Sequence, residues 1–90
     1  MSNKFPNDAF AQIVSKCDNL EMNFDQKLGG ELLDHLKIFQ KHLEAPHYKK
    51  AIEALHIFIQ SDPTDPSRCF EDWREALDQV RALIKHYHRK

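Results

Sequence analysis

From Cys69 to Tyr87 the apolar residues return at every third or fourth position. Cys69, Trp73, Leu77, Val80, Ile84 and Tyr87 fall on one side of a helical wheel, with Phe70, Ala76 and Leu83 beside them. A strand needs a period of two, so a period near 3.6 kept over this length specifies a helix. The spacing predicts a helix over about 66–88, capped by Thr64 or Asp65 and with Pro66 in its first turn. A long helix with one apolar face cannot stand alone in water, so the rest of the chain must cover it.

Three shorter segments carry the matching stripes. Phe10, Ile13, Val14, Cys17 and Leu20 share one face and predict a helix over about 6–20, opened by Pro6 or capped by Asn7 with Asp8 behind it. Leu32, Leu36, Phe39 and Leu43 predict a second helix over about 31–44. Tyr48, Ile52, Leu55 and Ile59, widened by Ala51 and Phe58, predict a third over about 47–61. The breaks between them are chemical. The stretch 21–30 is a polar connector carrying Met22, Phe24 and the Gly29-Gly30 pair. Ala45-Pro46 ends the second helix, because a residue before proline is pushed out of the helical region. Asp62-Pro63-Thr64-Asp65-Pro66 is a stiff turn.

No segment alternates with a period of two, so no strand is expected. The reading is one all-α domain over 1–90, a small antiparallel four-helix bundle with up-down-up-down topology. Its expected core is Phe10, Ile13, Val14, Leu32, Leu36, Phe39, Leu43, Ile52, Leu55, Ile59, Trp73, Leu77, Val80 and Ile84. Each such side chain gains roughly 1.5–3 kcal/mol on burial, and chain entropy cancels most of the sum.

Several function classes drop out at this stage. No apolar run is longer than Ile57-Phe58-Ile59, so nothing is expected to span a membrane, and the first residues carry no secretory apolar region. Cys17 and Cys69 are too few for a disulfide scaffold, which points to a reducing, cytoplasmic compartment. Thirteen basic and 14 acidic residues give a net charge of -1, which argues against a general nucleic-acid binder.

The charges are nevertheless sorted. On antiparallel helices, Lys4, Lys37, Lys41, Lys49, Lys50, Lys85, Arg89 and Lys90 collect at one end with His42, His47, His86 and His88. Asp18, Glu21, Asp25, Glu31, Asp34, Asp62, Asp65, Glu71, Asp72 and Glu75 collect at the other, diluted by Lys16, Lys27, Arg68 and Arg74. Acids at helix starts and bases at helix ends complement the macrodipole. That accounts for the second and fourth helices. It leaves Asp18 and Glu21 at the end of the first helix, and Lys49 and Lys50 at the start of the third, opposed to their local dipoles.

No constellation points to catalysis. Glu53 and His56 have the spacing of half a di-iron site, but they lie on the polar side of the third helix and lack the companion ligands. No metal and no cofactor are expected. Cys69 sits in a first turn, where a thiol can be activated, yet it belongs to the apolar stripe. Gly29-Gly30 has neither a preceding strand nor a following lysine, so it is no phosphate loop.

Tyr48-Lys49-Lys50-Ala51-Ile52-Glu53-Ala54-Leu55, followed by Phe58-Ile59 and Asp62-Pro63, resembles the second helix of a tetratricopeptide repeat. The leucine-glycine pair and turn glycine of that repeat are absent from 36–46. The resemblance implies a helical hairpin that binds a peptide or protein partner, and it carries over no binding residues.

The expectation is therefore a small non-enzymatic protein-binding module, such as an inhibitor, immunity factor, adaptor or secretion chaperone. Its docking residues would be Glu31, Asp34, Asp62, Asp65, Glu71, Asp72 and Glu75 at the acidic end, helped by exposed Ile38 and Ile57. The alternative is nucleic-acid or phosphate binding at the basic end, through Lys41, Lys49, Lys50, Lys85, Arg89 and Lys90. A homodimer pooling two helical hairpins is a further possibility.

Overall fold

Each apolar stripe meets its complement in the neighbouring helix. A computed structural model describes residues 7–43 and 45–88 as four helices: α1 (Asn7–Met22), α2 (Gln26–Ile38), α3 (Ala45–Ile59) and α4 (Pro66–His88). A single 3-10 turn, Gln40–His42, lies between α2 and α3. No strand occurs among the described residues. Helices consecutive in sequence pack against each other, and α4 closes the ring on α1. This is the up-down-up-down antiparallel bundle that the short connections require. The α3–α4 seam is the most extensive and the α1–α4 seam the least.

The core holds Ile13, Cys17 and Leu20 of α1, Leu32, Leu33 and Leu36 of α2, and Ala51, Ala54, Leu55 and Phe58 of α3. From α4 come Ala76, Leu77, Val80 and Leu83. Phe58 is its largest fully buried side chain. The expected core was rotated on α3. That helix packs on both α2 and α4, so the residues aimed between those two neighbours are sealed, and Ile52 and Ile59 are only partly covered. Leu43, Trp73 and Ile84 likewise pack on the core from its rim, and Phe10, Val14 and Phe39 are half-buried.

The helix limits also differ from expectation. α1 runs on to Met22 rather than stopping near 20. α2 begins at Gln26, not near 31, so both glycines lie inside a helix and Glu31 and Asp34 stand in its interior turns rather than at its start. The cause is Asp25. Its backbone is extended (φ -142, ψ 119), and its carboxylate accepts from the Lys27 N–H at 2.9 Å. A side-chain cap of this kind is worth about 1 kcal/mol, which offsets much of the cost of a helical glycine. Packing supplies the rest at Gly29. A Cβ there would stand 2.9 Å from the Phe58 ring, so only glycine lets α2 approach α3 this closely. Gly30 faces open space.

α2 stops at Ile38 instead of 44, and Leu43 is extended. α3 starts at Ala45, ahead of the proline, and ends at Ile59 rather than 61. Pro46 is tolerated because a first-turn N–H has no helical acceptor to lose. Pro6, Lys4, Glu44, Arg89 and Lys90 lie outside the described residues.

Candidate docking surface at the acid-rich end

At the end where α1 passes to α2 and α3 passes to α4, four aromatic rings converge. Phe24, in the first connector, stacks on Phe58 with ring centres 6.1 Å apart. It also meets Trp73 at 5.2 Å and Phe70 edge-on at 6.2 Å, and Phe70 lies 5.4 Å from Trp73. The cluster runs from core to surface. Phe58 is sealed, Trp73 is half-buried, and Phe70 and Phe24 are 45% and 51% exposed. Met22, at 81%, precedes Phe24 on the same connector.

Polar side chains clamp the backbone around this cluster. The Gln26 amide donates to the carbonyls of Phe58 at 2.9 Å and Ser61 at 2.8 Å, so the start of α2 holds the end of α3. The Trp73 indole N–H donates to the Leu20 carbonyl at 2.9 Å, which ties α4 to α1. The Ser61 hydroxyl donates to the Asp72 carboxylate. Asp62 accepts from the Thr64 N–H at 2.9 Å and its hydroxyl at 2.7 Å, and these bonds hold its carboxyl below the ordinary range. The Cys69 thiol donates to the Asp62 carbonyl at 3.1 Å.

The residues expected to dock a partner thus fall into three groups. Asp62, Asp65 and Asp72 are committed to turns, caps and the Ser61 link, with Asp65 accepting weakly from the Arg68 N–H at 3.3 Å. Glu31 lies 3.9 Å from Lys16 of α1, and Glu75 accepts from Gln79. Asp34 and Glu71 are exposed. Because α2 starts at Gln26, Asp34 lies nearer the opposite end of that helix and Glu31 midway along it; the other five share the acid-rich end without converging on one point. Their field still surrounds the aromatic cluster. Ile38 and Ile57 are 65% and 54% exposed; Ile38 closes α2 at the opposite end, and Ile57 points outward from α3.

Asp18 and Glu21, which oppose the dipole of α1, have a specific partner. Arg81 of α4 donates to Asp18 at 2.9 Å and also to Glu21. The two carboxylates hold its guanidinium firmly charged. Beside this bridge a groove of about 480 Å³ runs between α1 and α4, lined by Glu21, Phe70, Trp73, Arg74, Leu77, Asp78 and Arg81. Gln26, Arg81 and the convergence of Phe24 with Phe70 were not foreseen. Phe24 and Phe70 lie far apart in sequence, and only the closure of the ring brings them together.

At the basic end, Lys41, Lys49, Lys50 and Lys85 are exposed. The His47 and His86 rings stack at 4.1 Å, and the Tyr48 hydroxyl donates to Gln40 at 2.8 Å. Glu53 and His56 stand exposed on α3, and among the described residues no three potential ligands gather. Burial pushes the Cys17 thiol up to about 11, which leaves it a packing residue. No helix among the described residues is long and apolar enough to cross a membrane. Compared with known proteins, the chain matches no family model, no curated protein and no solved structure.

Proposed function

We propose that this chain is a non-enzymatic protein-binding module that docks a basic partner at its acid-rich end. The observation that carries the reading is the Phe24–Phe70–Trp73 cluster, with Phe24 and Phe70 exposed, set among the acids of both connectors and the start of α4. Exposed aromatic clusters ringed by polar groups mark interaction sites, and aromatic anchors supply most of the energy at such sites. The surrounding charge would steer a basic partner and reject an acidic one. The hydrogen bonds of Gln26 and Trp73 fix the anchors in advance, which lowers the ordering cost of binding. An inhibitor, immunity factor, adaptor or secretion chaperone would fit this reading.

Trp73 is the single tryptophan, so its fluorescence reports directly on this surface. Titration with a lysine- and leucine-containing amphipathic peptide should shift its emission, with affinity falling as salt rises. Phe24→Ser and Phe70→Ser should each weaken the response, and an acidic peptide of equal hydrophobicity should give none. Equal responses to both peptides would sink the reading. Binding lost instead on Lys49→Glu/Lys50→Glu would move the function to the basic end.

A further inference from the structure

We propose that α4 pairs antiparallel with α4 of a second copy of this chain. The inference goes beyond the docking surface just described and rests on a different observation, the order of charges along one face of α4. Glu71, Arg74, Asp78 and Arg81 are spaced by three, four and three residues. At 100° per residue that spacing keeps them on one face. Glu71, Arg74 and Asp78 are exposed and Arg81 is half-buried.

The pattern is its own complement when reversed. An antiparallel pair related by a two-fold axis level with Ala76 places Arg74 opposite the partner's Asp78 and Asp78 opposite the partner's Arg74. It places Glu71 opposite the partner's Arg81, and the reverse. Every position meets the opposite sign. A parallel pairing in register meets like charge at all four positions, so the pattern selects orientation as well as partner. Arg81 already holds Asp18 and Glu21, both through Nη2, so the Arg74–Asp78 pairs carry most of the discrimination.

The apolar contribution lies beside the charges. Phe70 and half-buried Trp73 line the groove along this helix, on the flank of the charged face that borders α1, and the two-fold axis brings that flank toward the same flank of the partner. Charges in the groove are balanced, Glu21 and Asp78 against Arg74 and Arg81. Its complement is therefore a balanced surface, although the groove opens from the aromatic cluster of the acid-rich end. A net charge of -1 leaves little repulsion between copies. Pairing would cover Phe70, so a dimer and a basic partner compete for it.

Sedimentation equilibrium tests this without any partner, so its outcome is independent of the peptide titration above. The native chain should show a reversible monomer–dimer equilibrium that weakens with salt. Arg74→Glu and Asp78→Arg, each altering both symmetric contacts, should each weaken self-association by about tenfold or more. Mixed in equal amounts, the two variants should dimerise again, because Glu at 74 now faces Arg at 78. Both positions are exposed, and unchanged thermal unfolding at low concentration would show that the fold survives. A native chain that stays monomeric at its highest soluble concentration overturns the proposal. So does a dimer that neither variant weakens, or a pair of weakened variants that fails to recover on mixing.

Discussion

The two ends of the bundle are built by different chemistry. At the acid-rich end, side chains from one element bond to the backbone of another: Gln26 to Phe58 and Ser61, and Trp73 to Leu20. The basic end carries contacts between side chains, with His47 on His86, His35 tilted on Phe39 at 5.4 Å, and Tyr48 on Gln40. Bonds to buried carbonyls are directional and costly to break. Ring contacts near the surface tolerate adjustment. The first end is therefore the one pre-set to present a surface, and the second is the one open to change in its surroundings.

The largest expected effect breaks the acid-rich end at its closest approach. Gly29→Ala drives a methyl group into the Phe58 ring and should cost about 1–3 kcal/mol. Gly30→Ala, one residue on, should add about 0.5–1 kcal/mol of stability because nothing stands in its way. Denaturant unfolding of the two variants measures both, and equal effects would mean that α2 does not approach α3 as described.

Gln26→Ala comes next, at about 1–2 kcal/mol, since two carbonyls lose their donor together. Tyr48→Phe at the other end deletes an exposed bond and should cost at most about 0.5 kcal/mol. A larger loss for Tyr48→Phe than for Gln26→Ala would reverse the comparison between the ends.

Arg81→Met should cost under about 1 kcal/mol, because the bridge to Asp18 and Glu21 is exposed, and the loss should shrink at high salt.

The smallest effect is on pH. His35 has a buried Nε2 with no hydrogen-bond partner, and burial, then Lys16, lowers its pKa. The unfolded chain binds that proton more readily, so the contribution is present above the ordinary histidine value of about 6.5 and is lost as pH falls below it. His35→Leu should flatten this part of the stability profile, as read from thermal unfolding at several pH values.

Much of the fold was legible because period and punctuation agree. α4 was readable from the recurrence of Cys69, Trp73, Leu77 and Val80, and its start from the proline-rich turn. What was not legible depends on tertiary contact. Gly29-Gly30 reads as a break until Phe58 is known to lie against it. Asp18 and Glu21 read as charges at odds with their helix until Arg81 is known to face them. The exposure of Ile38 and Ile57 followed from their position off the stripes, whereas that of Phe70 did not, because it lies beside the stripe of α4. The proposed docking surface was half visible. Its charge could be assigned to an end from topology alone, but its aromatic centre required knowing that both connectors meet.

The closure of α4 on α1 has a practical consequence for handling this protein. α1 begins and α4 finishes on the side of the bundle away from Phe24 and Phe70. Fusion partners, fluorescent labels and immobilisation chemistry attached beyond either helix would stand clear of the aromatic surface. The same layout invites a circularly permuted chain, joined where α1 starts and α4 stops and opened near the 3-10 turn, in which the aromatic end keeps every one of its connectors.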